Sequence, residues 1–183
     1  MRVIAGACKG RVLKAPTWSG LRPTSDRLRE TMFNVLAPRT RGARVLDVYA
    51  GTGAIGIEAL SRGAASAVFV ESDRRAQALI EENLARCGIA DGCAIIRAPA
   101  ARAYETLRRS PSFVPFDIVV LDPPYDQPAA QALTGVDTLV ASGGLVVFEH
   151  ARRAPAPDVV GRLVRTRDLV SGDSALAFYT CEP

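Results

Sequence analysis

The chain has 183 residues, 48% of them hydrophobic, with 23 basic and 19 acidic side chains, four cysteines and one histidine. That length supports one domain with its own core, and no apolar run nears the roughly 20 residues a membrane-spanning helix needs. The cysteines at 8, 87, 93 and 181 lack C-x-x-C spacing, and the opening MRVIAGACKG lacks the apolar block of a secretion signal. Both points argue against a metal site, a disulfide framework or export, so a cytoplasmic protein with reduced thiols is expected.

Residues 2–14, RVIAGACKGRVLK, predict two short strands about a Lys9-Gly10 turn, a basic hairpin. Residues 21–36 predict a helix, opened by Pro23 and the capping residues Thr24, Ser25 and Asp26 and striped by Leu28, Met32, Val35 and Leu36. Pro38 is expected to end it, with Arg27 and Arg29 projecting from its first turn. Ten basic and two acidic residues fall within 1–44, whereas the remainder is net acidic. Positive charge gathered at one end suits an arm that binds a polyanion, with a merely solvated charged face as the alternative. Residues 1–40 are therefore expected to form a basic extension ahead of a main domain at 41–183.

The stretch 44–60, RVLDVYAGTGAIGIEAL, runs from an apolar strand through Gly51-Thr52-Gly53 into a helical pattern. Such a turn lets backbone approach a ligand and points helix N–H groups at it. Gly51, Gly53 and Gly56 spell G-x-G-x-x-G, and Glu71 lies twenty positions after Gly51, which also satisfies the dinucleotide fingerprint. Asp47 tips the choice, because a carboxylate four residues before the turn repels a pyrophosphate and welcomes a cationic group.

Strand and helix then alternate: strands at 67–71, 94–97, 116–121 and 144–149, helices at 74–87, 100–109 and 127–141. Segments 163–170 and 175–180 flank Ser171-Gly172-Asp173-Ser174 as an antiparallel hairpin. The expectation is an α/β, Rossmann-like, mostly parallel sheet of seven strands closed by that hairpin. Strand four ends in Asp122-Pro123-Pro124-Tyr125, and in this fold strands one and four lie side by side where ligands bind. Two prolines stiffen the backbone so that its carbonyls point a fixed way. Stiff acceptors beside a carboxylate and an aromatic suit the holding of a planar base with an exocyclic amine.

Asp47, the glycine turn and Glu71 together resemble the first two motifs of class I S-adenosylmethionine methyltransferases. Asp-Pro-Pro-Tyr resembles the motif of enzymes that methylate nucleobase amines. The wider pattern, R-V-I-A-G-x-x-K-G-R-x-L, then L-R-P-T-S-D-R-x-R-E-x-x-F-N, L-D-V-Y-A-G-T-G-A-I-G and L-D-P-P-Y, resembles the RsmD family. Those bacterial enzymes methylate the 2-amino group of a guanine in 16S ribosomal RNA. The resemblance implies S-adenosyl-L-methionine as cofactor, near Asp47 at its methionine end, against Tyr49, Gly51, Thr52 and Gly53, with Glu71 on the ribose hydroxyls and Ser72 and Thr24 nearby. It implies that Asp122 and the Pro123 carbonyl accept from the amine, that Pro124 stiffens the loop and that Tyr125 stacks on a flipped base. It further implies phosphate contacts from Arg2, Lys9, Arg11, Lys14, Arg22 and Arg27, a lip at residues 22–24, and an assembling small subunit as partner of a monomeric enzyme.

One departure stands out. Related enzymes carry Asp after strand three to accept from the adenine amine, and here that position is Pro99, so weak affinity for the free cofactor is expected. His150 beside Glu149 is expected to be structural rather than a base. A DNA amino-methyltransferase, or a ribosome-assembly factor without turnover, are the competing readings.

Overall fold

The computed structural model describes residues 1–18, 25–124 and 127–183. Thr24, Arg22 and Tyr125, expected to take part in the site, lie outside the described residues. In chain order the elements are α1 (Asp26–Thr40), β1 (Arg44–Val48), α2 (Ala54–Ser61), β2 (Ser66–Glu71), α3 (Arg74–Cys87), β3 (Cys93–Arg97), α4 (Ala100–Arg109), β4 (Phe116–Leu121), α5 (Ala129–Leu133), a 3-10 turn (Val136–Thr138), β5 (Val140–Ala151), β6 (Val159–Val160), β7 (Leu163–Ser171) and β8 (Ser174–Cys181). The sheet order is β3-β2-β1-β4-β5-β8-β7-β6. Strands β1 to β5 pair in parallel, and β8 returns antiparallel to β5.

Apolar side chains on the parallel strands alternate between two cores, as a sheet covered on both faces requires. Val45, Phe69, Ile118 and Val120 pack with α1, α2 and α3, whereas Leu46, Val48, Val119 and Leu121 pack with α4 and α5. Val3, Leu13, Leu28, Met32 and Phe33 belong to the first of these cores, so the N-terminal extension is packed into it.

The sheet has eight strands rather than seven. The additional β6 is two residues long and pairs only with β7, too short for an alternating pattern to announce it. Two expected boundaries also move. The helix expected at 127–141 shrinks to α5 and the 3-10 turn, because Gly135 takes a left-handed φ of 77° between them. Strand β5 accordingly starts at Val140, with a register irregularity against β4 ahead of Leu145. Pro38 sits inside α1 instead of ending it. It lies in the last turns, where one lost N–H is tolerated, and the Thr40 hydroxyl donates back to the Leu36 carbonyl at 2.9 Å.

The N-terminal segment reverses direction as expected, but as a single antiparallel bridge between Arg2 and Val12 rather than two strands. Val3, Gly10 and Leu13 donate to carbonyls within the segment, and other backbone donors reach α2. Ile4 and Ala5 donate to the Glu58 carboxylate at 2.8 and 3.0 Å, and Ala7 donates to the Ser61 carbonyl at 2.7 Å. The reversal is a broad loop laid on the end of α2. Gly6 makes that approach possible, since a Cβ there would lie 1.8 Å from the Ser61 oxygen.

Arg29 does not project. It is fully buried, bonded to the Arg2 carbonyl and to Asp26 at 3.1 Å and paired with Glu58 at 3.7 Å. Burial lowers its pKa, and the Glu58 and Asp26 charges oppose that shift.

Candidate active site

Strands β1 and β4 run side by side, with Val48 opposite Leu121, so both chains leave the sheet at one point. There the Asp122 N–H donates to the Val48 carbonyl at 3.3 Å. This bond joins the loop after β4 to the turn after β1. The turn itself is tight: Gly51 and Gly53 have φ of 55° and 74°, and Gly53 caps α2. Tyr49 has φ of 62°, alone among described non-glycine residues in the positive region, where a side chain costs on the order of 1–3 kcal/mol. Such strain beside a glycine turn is common where a ligand has to be approached closely.

Two carboxylates hold the turn. Glu71 accepts from the Gly51 N–H at 2.9 Å through one oxygen, and from Ser72 and Asp73 at 2.7 and 2.8 Å through the other. Asp47 accepts from the Gly56 N–H at 2.9 Å. Asp47 is 1% exposed, and burial, reinforced by the Asp122 and Glu71 charges, raises its pKa well above the ordinary value despite the Gly56 bond. Asp47, expected at the methionine end of a cofactor, lies beside the turn with its carboxylate bonded to the first turn of α2. Gly56 serves a second purpose, since a Cβ there would come within 2.3 Å of the Phe69 ring. It lets α2 lie directly on β2.

A cavity of about 220 Å³ opens beside the turn, lined by Tyr49, Glu71, Ser72, Pro99, Ala100 and Gln127. The Tyr49 hydroxyl accepts from the Gln127 side chain at 2.8 Å, and the half-buried phenol is pushed to higher pKa by its surroundings. Thr52 is buried, its hydroxyl 3.7 Å from the Met1 sulfur. Asp122 is half-buried, Pro123 buried and Pro124 exposed, and the Pro124 carbonyl accepts from the Gln127 N–H at 3.0 Å. A larger concavity of about 560 Å³ lies between α3 and the edge strand β3, lined by Leu84, Ile89 and Ile95 among others. None of the turn or Asp122 residues reaches it.

The expected phosphate contacts divide. Arg2, Lys9, Arg11 and Arg27 are exposed. Lys14 is exposed too, and its ammonium pairs with Glu82 at 2.6 Å, a carboxylate that Arg86 also approaches at 3.0 Å. His150 is buried, stacks on Phe148 at 5.6 Å, and places Nδ1 2.8 Å from the Ala154 carbonyl and 3.1 Å from that of Ala151. A proton on Nδ1 can bond both carbonyls, while Nε2 is buried without a hydrogen-bond partner among the described residues. Among the described residues no group of His, Cys, Asp or Glu side chains could hold a metal ion.

Three polar residues that matter here were not anticipated. Glu58 grips the N-terminal segment, Asn83 ties the turn to it, and Gln127 closes the cavity. Asn83 donates to the Thr52 carbonyl at 3.0 Å and accepts from the Lys14 N–H at 2.7 Å. One signal could have found it. Asn83 stands within the apolar stripe of α3, in spacing with Leu79, Ile80 and Cys87, where a polar residue has to be bonded internally.

A doubly wound sheet, with a strand–glycine turn–helix at its switch point and Asp-Pro-Pro closing the adjacent strand, is the fold of class I methyltransferases. The family described as “Conserved hypothetical protein 95” matches residues 1–180, and the chain belongs to it. The relative named “Putative rRNA methyltransferase YlbH” in Bacillus subtilis is 38% identical over 182 residues, 98% of each chain. “Ribosomal RNA small subunit methyltransferase D” of Escherichia coli is 35% identical over 185 residues, covering 100% of this chain and 90% of its own. The solved structure “Putative methyltransferase yhhF from Escherichia coli” has a TM-score of 0.83 at 34% identity, covering 100% of this chain and 98% of that one. The family resemblance read from the motifs and the Rossmann-like fold are both borne out.

Proposed function

We propose that this chain transfers a methyl group from S-adenosyl-L-methionine to the 2-amino group of a guanine in small-subunit (16S) ribosomal RNA. The observation that carries the reading is the bond between Asp122 and Val48, which sets Asp-Pro-Pro at the lip of the glycine turn. The residues fit the cofactor: Glu71 at the cavity wall and Asp122 beside the turn give an acidic surround, suited to a cationic sulfonium and ammonium and hostile to a pyrophosphate. When bound, the cofactor supplies an electrophilic methyl on a good leaving centre.

The chain's own part is positional. An exocyclic amine has its lone pair delocalised into the ring. Asp122 and the Pro123 carbonyl each accept one of its N–H bonds, which pyramidalises the nitrogen and aims the lone pair at the methyl. Pro124 keeps that backbone stiff, and Tyr125 stacks on the extruded base. Glu71 holds the ribose hydroxyls with the oxygen not already shared between Ser72 and Asp73. Arg2, Lys9, Arg11 and Arg27 contact phosphates. The reading takes a monomer as the acting unit, working on the assembling small subunit in the cytoplasm.

No helix among the described residues is long and apolar enough to cross a membrane. Tritiated methyl transfer to unmethylated small subunits, naked rRNA and duplex DNA tests the reading. Label in subunits or rRNA is expected, and label in DNA alone refutes it.

A further inference from the structure

The cavity beside Tyr49 has about 220 Å³, below the roughly 300–1,000 Å³ of a site that encloses a whole drug-sized ligand. It therefore takes one end of the cofactor. Its place between Glu71 and the start of α4 suits the flat heterocycle. An adenine brings an exocyclic amine with two N–H bonds, and burying an amine without an acceptor is costly.

The acceptors on the wall are few. Glu71 receives three backbone N–H bonds, and the acceptor capacity left to it goes to the ribose hydroxyls. Pro99, which opens α4, has no side-chain acceptor, and α4 has no side-chain cap. Ala100 has none either. Ser72 is adjacent to Glu71, on the ribose side. Among the described side chains of this wall Gln127 remains, and its carboxamide is already oriented: Nε2 donates to the Tyr49 hydroxyl at 2.8 Å, which leaves Oε1 as the end it can offer. Its backbone N–H is fixed as well, by the Pro124 carbonyl at 3.0 Å.

We propose that Gln127 reads the 6-amino group of the cofactor's adenine through Oε1, with Tyr49 as the positioning residue that holds the carboxamide in that orientation. The proposal rests on the methyltransferase reading above. It assigns the strained Tyr49 a purpose, because its hydroxyl meets the Gln127 carboxamide at the cavity wall. It also couples the cofactor's heterocycle to the loop that carries Asp122, since Gln127 belongs to that loop's return.

The test is a two-by-two binding cycle by calorimetry. The ligands are S-adenosylhomocysteine and its analogue with hydrogen in place of the 6-amino group, and the proteins are wild type and Gln127→Leu. Wild type should bind the amine-bearing ligand roughly 3- to 10-fold more tightly, the worth of one neutral hydrogen bond. Gln127→Leu should bind the two ligands equally. Gln127→Glu, which keeps an acceptor at the same place, should retain the preference and guards against a variant that has merely lost its fold. Tyr49→Phe should reduce the preference without removing it. An amine preference of the same size in wild type and in Gln127→Leu overturns the proposal. Absence of binding of either ligand to wild type, at millimolar concentration, removes the methyltransferase reading itself and the proposal with it.

Discussion

Two buried carboxylates in this molecule do the same local job in different surroundings. Glu71 gathers the N–H groups of Gly51, Ser72 and Asp73, and Glu58 gathers those of Ile4 and Ala5. Glu71 stands at the wall of an open cavity, 9% exposed, where a ligand can share it. Glu58 is closed off by Arg29 and by Arg62, the latter at 2.7 Å, and meets no solvent. The first carboxylate shapes a site, and the second fastens the basic N-terminal segment to the domain. Position relative to the strand ends, not the chemistry of the group, separates the two.

Removing the fastener should do the most damage. Glu58→Ala leaves Arg29 buried without its main partner and two backbone donors unpaired, with an expected loss of about 3–5 kcal/mol in chemical denaturation. A loss under about 1 kcal/mol would make the N-terminal segment independent of Glu58. At the open end, Asp122→Ala should lower turnover on the order of 10²–10³-fold with RNA affinity and melting temperature little changed. Turnover within a few-fold of wild type would take Asp122 out of the reaction.

Asp47 sharpens the contrast through pH. Its folded pKa is raised above the ordinary value near 3.8, so in the window above that value the native state holds more protons than the unfolded chain. Its contribution is full below the unfolded pKa and is lost as pH rises through the folded one. Asp47→Asn keeps an acceptor for Gly56 and cannot ionise, so its stability should fall less with rising pH than that of wild type in urea titrations. Parallel pH profiles for the two proteins would contradict a raised Asp47 pKa.

The exposed arm offers the mildest effect. Changing Lys9 and Arg11 to Ala should weaken RNA binding and lower the salt slope by roughly 0.7–0.9 per lost phosphate contact. Lys14→Ala should change it less, because Glu82 already holds that ammonium. An equal change from Lys14 would mean the ion pair opens on the RNA.

Where local signals agreed, the sequence was easy to read. Helix α3 runs from Arg74 to Cys87 as its stripe predicts, because Asp73 caps one end and Gly88 the other. The strand–turn–helix and the Asp-Pro-Pro exit were equally plain, each being a contiguous motif with one fold that satisfies it. Residues with long-range partners were harder. Arg29, Glu58 and Asn83 look like ordinary polar helix residues until the N-terminal segment lies across them, 54 positions away from Glu58 in the case of Ile4. Pro99 was visible as a missing acid, but what faces it was not, since Gln127 reaches the cavity from beyond β4.

The central claim is that an amine held by Asp122 and the Pro123 carbonyl meets the methyl at the exit of β1 and β4. Unmethylated small subunits treated with tritiated S-adenosyl-L-methionine and digested to nucleosides test it most directly. The expected result is label in N2-methylguanosine with wild type, appearing on the order of 10²–10³-fold more slowly with Asp122→Ala. Label in a methylated adenosine or cytidine, or equal labelling by both proteins, would contradict it.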